Sequence, residues 1–286
     1  MQFECIADIR GEFLESPVWD DRRSAIFCCD VLGRCIYEVG LEGGIRRKWS
    51  FEAKVGSLGL CESGRLIVAT GLEIILFDPE TGARDRLAVP AEEPPGNRLN
   101  DGKVGPDGCF WVGSMDDGPH KMPVGSLYRI DAAGRCDRKA SGFYVSNGLA
   151  WSHDDRTLFH SDSRGLWIDA YDFDPVAGHI GNRVRLLDLD ATAGRPDGAA
   201  CDTAGFYWSA GISAGVLNRI SPQGAICERI GFPVSGPTMP CFCGPDLKTL
   251  VVTSHRCGEH PANRSGGLFA ARSAVAGVRV GRMKGV

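Results

Sequence analysis

No apolar stretch in the 286-residue sequence approaches the roughly 20 residues needed to span a bilayer. No block of lysines and arginines stands out either. With Lys+Arg 32 against Asp+Glu 36, a net charge of -4 and a pI near 5.9, the chain lacks the cationic surplus that neutralises a phosphate backbone. Nucleic acid and membrane are thereby excluded as main partners. The first ten residues, Met1 to Arg10, have neither the basic head nor the apolar core of a secretory leader. A cytoplasmic setting is expected. Cysteine is abundant, at 12, but no Cys-x-x-Cys pair occurs and several cysteines lie inside apolar runs (Cys28, Cys29, Cys35, Cys109). They read as reduced, small, buried side chains rather than a disulfide framework. A Gly-x-Ser-x-Gly elbow is missing too, which argues against a nucleophilic serine.

What the sequence does have is glycine, 38 residues, about 13% against an average near 7%. Glycine disfavours helix by about 1 kcal/mol relative to alanine and suits tight turns. A hydrophobic fraction of 43% is enough to bury a core. One pattern then repeats: a polar turn, a short strand of β-branched and aromatic residues, another turn and another strand. The first strands begin at Ile26, Leu66, Phe110, Leu158, Phe206 and Leu250, at spacings of 40, 44, 48, 48 and 44 residues. Second strands follow at Cys35-Ile36-Tyr37, Ile74-Ile75-Leu76, Ser126-Leu127-Tyr128, Trp167-Ile168-Asp169, Val216-Leu217-Asn218 and Gly267-Leu268-Phe269. With a leading and a trailing strand, each unit has four. This predicts an all-β, six-bladed β-propeller with four-stranded blades around a central channel. Residues 1–286 are expected to form one domain, with the segment Phe3 to Ile9 pairing with the last blade to close the ring.

In a propeller the residues just before each innermost strand surround the channel mouth. Counting back eleven residues from Ile26, Leu158 and Leu250, and nine from Leu66, Phe110 and Phe206, gives Glu15, Asn147, Met239, Ser57, Asp101 and Asp197. Carboxylates converging on one axis repel by about 4 kcal/mol at ~4 Å and an effective dielectric near 20. A divalent cation would relieve that repulsion. Carboxylate and amide oxygens suit Ca²⁺, Mg²⁺ or Mn²⁺, with Zn²⁺ a less usual occupant. At the same rim, Asn97-Arg98-Leu99-Asn100-Asp101-Gly102 supplies a cation and two amides, and the segment from Gly113 to Pro123 reads as a long loop able to cover a site. The stretch His255-Arg256-Cys257-Gly258-Glu259-His260 has zinc-type residues at a spacing that matches no standard site.

Leu14-Glu15-Ser16-Pro17-Val18-Trp19, Asn97-Arg98-Leu99-Asn100-Asp101-Gly102-Lys103, Ser146-Asn147-Gly148-Leu149-Ala150-Trp151-Ser152, Arg195-Pro196-Asp197-Gly198 and Phe242-Cys243-Gly244-Pro245-Asp246-Leu247-Lys248-Thr249-Leu250 resemble, in order and nearly end to end, the gluconolactonase family. That family includes regucalcin and the luciferin-regenerating enzymes. The resemblance implies a six-bladed propeller that hydrolyses sugar lactones with one divalent cation. It implies Glu15, Asn147 and Asp197 as metal ligands, Asp197 as general base, and Arg98 and Asn100 as holders of the sugar hydroxyls. Here the resemblance favours Asn100 as the inward side chain, whereas the count places Asp101; both are carried. Lys121 is a further substrate-binding candidate in the 113–123 loop. The first motif of the family often reads Glu-Gly-Pro; Ser16 stands in place of that glycine. The expected partner is a small sugar lactone, and the chain is expected to be a monomer or weak homo-oligomer. Two alternatives stand beside this: another ester or phosphotriester hydrolase on the same fold, and a calcium-binding regulator without catalysis. A WD-repeat docking scaffold fits poorly, since Trp-Asp occurs at Trp19-Asp20 and not in every blade.

Overall fold

The structure is a computed structural model that describes residues 1–256 and 264–286. Cys257 and His260, singled out above, lie outside the described residues. Among the described residues every regular element is a strand, and the strands form six small sheets in a ring. The fold is a six-bladed β-propeller. Blade 1 runs outward through Leu14–Asp20, Ala25–Asp30, Cys35–Gly40 and Ile45–Ser50. Blades 2 to 5 repeat this meander from inner strands Val55–Cys61, Asn97–Val104, Ser146–Trp151 and Pro196–Cys201. Blade 6 takes Pro237–Cys243, Thr249–Ser254 and Leu268–Arg272 from the end of the chain and its outer strand, Glu4–Ala7, from the beginning. Glu4 pairs with Ala270 and Cys5 with Phe269, antiparallel, so the ring is closed as expected, by a strand shorter than the segment read from sequence.

Burial follows position in the blade. The inner strand Leu14–Asp20 is buried at every residue, whereas the outer strand Ile45–Ser50 is largely exposed. Inner strands are covered on both faces by neighbouring blades, so they need no polar alternation. The core is therefore six wedges. Val18, Phe27, Leu58 and Phe77 fill the wedge between blades 1 and 2, and Trp111, Trp151 and Phe173 the one between blades 3 and 4. Each such side chain contributes roughly 1.5–3 kcal/mol through burial. All eleven described cysteines are free thiols, and most are buried in these wedges.

Every inner strand carries an irregularity near its start: between Glu15 and Val18, Val55 and Ser57, Leu99 and Gly102, Asn147 and Ala150, Pro196 and Ala199, and Pro237 and Pro240. A bulge of this kind bends the strand and re-aims its side chains. It also corrects the counted ring. Leu14, Val55, Leu99, Ser146, Pro196 and Pro237 are each the last paired residue before the irregularity or its nearest equivalent; all but Leu99, which faces Ser114, lie opposite the end of the neighbouring strand. The residues that follow them are Glu15, Gly56, Asn100, Asn147, Asp197 and Thr238. Ser57, Asp101 and Met239 were thus one residue late: the floor residue stands ten residues before the start of the next strand in blades 1 to 5 and eleven in blade 6, not nine or eleven from the counted anchors. A one-residue slip moves a side chain to the other face. Met239 packs against Gly198 instead.

The last residues cross the far end of the channel. Gly277 N donates to Leu247 O and Val278 N to Cys201 O, each at 2.8 Å, and Lys284 N to Gly108 O at 3.1 Å. Arg282–Met283 pairs in parallel with Leu60 and Cys61. Gly277 lies so close to the Phe242 ring that a Cβ there would sit 2.0 Å from it. No helix of the described residues is long and apolar enough to cross a membrane.

Candidate active site

At the opposite end the inner strands open on a cavity of about 450 Å³. Its floor holds Glu15, Asn100, Asp101, Asn147 and Asp197; Arg98, Lys121 and His255 stand on its walls. The structure thus brings together at one cavity Glu15, Arg98, Asn100, Asp101, Lys121, Asn147, Asp197 and His255, whereas Ser57 and Met239 of the counted ring do not line it. Sequence reasoning missed Lys54, Asp117, Ser163, Arg164 and Arg195, which also line it. They come from turns and loops that carry no repeat signal. The long loop is shorter than expected: Phe110–Asp116 is strand, so Gly113 to Asp116 belong to the blade. Lys121 sits in that loop with φ +51°, its Nζ donating to Asp116 O at 3.0 Å. His255 stacks on Phe13 with ring centroids 5.0 Å apart.

Local backbone aims the floor residues. Gly148 follows Asn147 with φ +67°, and a Cβ there would lie 2.4 Å from both Ser161 Oγ and Tyr207 Oη. Ser16 takes the matching place after Glu15 with φ +51°. That conformation is unfavourable for a residue with a Cβ. It is held by Ser16 Oγ, which accepts from Leu58 N at 2.9 Å and donates to Leu58 O at 3.3 Å. This explains how a serine can replace the glycine. Asn100 donates from Nδ2 to Ser146 O at 3.0 Å and accepts from Arg98 Nη1 at 2.7 Å. Arg98 is also bound through Nε to Asp117 Oδ1 at 3.0 Å, and Lys54 Nζ reaches Asp117 Oδ2 at 2.7 Å. Burial works to raise Asp117, but Lys54 and Arg98 outweigh it and hold that carboxyl below its usual value.

The floor carboxylates are different. Glu15 Oε2 accepts from Ser16 N at 2.7 Å, Asp101 Oδ2 from Leu149 N at 2.9 Å and Asp197 Oδ1 from Asn147 Nδ2 at 2.5 Å. The second oxygen of each, Glu15 Oε1, Asp101 Oδ1 and Asp197 Oδ2, is buried with no hydrogen-bond partner. Burial, then the repulsion of Asp197 and Asp101, pushes Glu15 well above the usual carboxylate range. Burial and Asp101 push Asp197 up to about 8. Burial also raises Asp101, with buried Lys103 pulling the other way. Lys103 itself donates to Ala199 O at 2.6 Å.

Unpartnered buried oxygens cost about 1–3 kcal/mol each. A hard cation is the natural remedy. No group of three or more His, Cys, Asp or Glu around one point occurs among the described residues. The candidate set instead has two carboxylates and an amide. Asn147 Nδ2 donates to Asp197 Oδ1 and Ser163 Oγ, so a positive amide edge now faces the acids. A half-turn of that amide exchanges its nitrogen for its oxygen. The donor chemistry of Glu15, Asn147 and Asp197 therefore fits a divalent cation.

Residues 13–256 match the profile of the family described as SMP-30/Gluconolactonase/LRE-like region. The chain belongs to this family. It is 38% identical over 283 residues to a 6-deoxy-6-sulfogluconolactonase of Pseudomonas putida, covering 96% of each chain. It is 31% identical over 259 residues to a regucalcin of Gallus gallus, covering 89% of this chain and 87% of the relative. Among solved structures, a calcium-binding regucalcin of Agrobacterium tumefaciens is similar with a TM-score of 0.90 at 25% identity, covering 98% of this chain and 96% of the other.

Proposed function

We propose that the protein hydrolyses a sugar lactone to the free sugar acid at the channel mouth, as a divalent-metal-dependent carboxylic ester hydrolase of carbohydrate catabolism. The observation that carries this reading is the pair of unpartnered acid oxygens, Glu15 Oε1 and Asp197 Oδ2, on the floor of a sugar-sized cavity walled by Arg98 and Asn100. Family membership and the lactonase relative support it.

Glu15, Asn147 and Asp197 hold the cation, which when bound supplies Lewis-acid polarisation of the lactone carbonyl. Asp197 takes the proton from the attacking water through Oδ2, its oxygen without a protein donor. Asn147 orients Asp197 through the bond to Oδ1. Arg98, held through Nε by Asp117 and through Nη1 by Asn100 and the Leu99 carbonyl, keeps Nη2 for the sugar hydroxyls. A fixed guanidinium positions a substrate without losing its own freedom on binding. Asn100 and Lys121 complete the sugar contacts, and Asp101 braces the floor through Leu149. The buried free thiols fit a reducing cytoplasm.

Replacing Asp197 by alanine tests this assignment: the account expects a folded protein without lactone hydrolysis, and near-normal turnover would sink it. A calcium-binding role without catalysis is the second reading, favoured by the regucalcin likeness. Under it the purified protein binds Ca²⁺ but opens no aldonolactone.

A further inference from the structure

Asn147 is followed by a glycine, and a glycine by itself holds no conformation. Gly148 sits at φ +67°, a region that a residue without a Cβ enters and leaves freely. Ser16, in the matching place after Glu15, is fastened to Leu58 by its own hydroxyl. Gly148 has no side chain for this, so its backbone has to be fastened from outside. Two side chains do so, gripping the two ends of one amide. Tyr207 Oη donates to Gly148 O at 2.8 Å, and Asp101 Oδ2 accepts from Leu149 N at 2.9 Å. That carbonyl and that N–H belong to the same planar peptide group. A planar group held at both ends resists rotation, and donation to its oxygen polarises its N–H toward Asp101. One chain of bonds thus runs from blade 5 through blade 4 to blade 3, at the residue next to Asn147.

Tyr207 opens the strand Tyr207–Gly211 and pairs there with Cys201 and Ile220. Its ring is fully buried between blades 4 and 5 beside Phe159, with ring centroids 5.0 Å apart. The corresponding strands of the other blades open on Ala25, Leu66, Phe110, Thr157 and Thr249, so the phenol is particular to the blade beside Asn147. Tyr207 does not line the mouth cavity and acts only through the backbone it holds. We propose that Tyr207 is a positioning residue for the cation site: by fixing the Gly148–Leu149 amide it sets the backbone from which Asn147 presents its amide oxygen to a divalent cation, an inference that rests on the cation reading above. Groups that orient a ligand without touching the ion are typically worth about 10- to 100-fold in metal affinity.

Tyr207→Phe deletes one oxygen and keeps the ring in its packing, so the variant should fold. Tyr128→Phe is its control: Tyr128 Oη donates to Glu93 Oε1 at 2.6 Å, a bond of the same kind in blade 3 that reaches no floor residue. Calorimetric titration of the metal-free full chain with Ca²⁺, Mg²⁺, Mn²⁺ and Zn²⁺ finds the ion the parent binds most tightly. For that ion, Tyr207→Phe should raise Kd at least about tenfold, and Tyr128→Phe should leave it unchanged. With glucono-1,5-lactone, Tyr207→Phe should regain the parent's kcat once the ion is in excess, with KM for the lactone unchanged. A smaller rise in Kd, an equal rise in Tyr128→Phe, or a kcat that excess ion does not restore overturns the role of Tyr207 and leaves the cation reading standing. A parent protein that binds none of the four ions overturns the cation reading and the role of Tyr207 with it.

Discussion

The two ends of the channel are built from the same six strands and treat charge in opposite ways. At the far end, Arg282 Nη2 meets Asp20 Oδ1 at 2.6 Å and Asp21 Oδ1 at 2.7 Å, and Arg279 Nη1 meets Asp21 Oδ2 at 2.6 Å. Those two cations hold Asp21 down to about 2. At the mouth, Glu15 and Asp197 face each other with unpartnered oxygens and are pushed up. Acids elsewhere repeat the first solution: Asp30 accepts from Glu12 N and Phe13 N, and Asp162 from Tyr144 N and Val145 N. Among the described residues, buried acid oxygens without a partner are therefore confined to one place. Satisfied charge marks where the propeller is fastened, and unsatisfied charge marks where it awaits a ligand.

The largest expected effect separates these roles at the mouth. Asp197→Ala should lower kcat by about 10²- to 10⁴-fold, the usual worth of a general base. Its melting temperature should not fall, because the change removes a repelling, partly unpartnered group. A large loss of stability on calorimetry would mean that this acid fastens the fold after all. At the far end the outcome should reverse. Arg282→Met leaves Asp20 buried without its main cation and should cost about 2 kcal/mol, by analogy with other hydrogen bonds to charged groups. Turnover per folded molecule should stay unchanged; lost activity would tie the C-terminal residues that cross the far end to the site.

A pH series sharpens the comparison, since one unpartnered group near the mouth serves no ligand. His160 bonds through Nε2 to Ser146 Oγ at 2.7 Å, and its Nδ1 is buried without a partner. Burial and nearby Arg183 lower it to about 3. Below the usual histidine value the unfolded chain takes up a proton that the folded chain refuses, so stability falls with pH. Between pH 7 and 5 the loss from this group is about 2 kcal/mol. The raised acids Asp197 and Glu15 pull the other way over this range, so the expected outcome is a difference. Between pH 7 and 5 the parent protein should lose about 2 kcal/mol relative to His160→Gln in urea denaturation, and equal slopes would remove His160 from the account. The smallest effect is expected of Ser16→Gly, set against Ser16→Ala. Ser16→Ala keeps the left-handed backbone and strips both bonds to Leu58, at a cost of about 1–3 kcal/mol. Ser16→Gly relieves the backbone strain of about 1–2 kcal/mol and should come out near neutral. Chemical denaturation of the pair checks the order.

Blade number and strand positions were legible because hairpin turns and β-branched runs repeat along the chain, and each blade is a local meander. Inner-ring positions were legible in blades 1, 4 and 5, where Glu15, Asn147 and Asp197 fall on the counted residues. They were misread in blades 2, 3 and 6, where the hydrophobic runs do not mark the strand starts to the residue and the bulge hides the slip. Both Asn100 and Asp101 reach the cavity for the same reason. The rim cations Arg164 and Arg195 were illegible, since each is an ordinary turn residue until the ring brings blades 3 to 5 side by side.

The central claim is that the acids of the mouth exist to hold a cation for lactone hydrolysis. Acid release from glucono-1,5-lactone, followed before chelation, after EDTA and after resupply of Ca²⁺, Mg²⁺, Mn²⁺ or Zn²⁺, tests it most directly. Activity should disappear with chelator and return with at least one of these ions. Full activity in EDTA, or none on any aldonolactone with every ion, would contradict it.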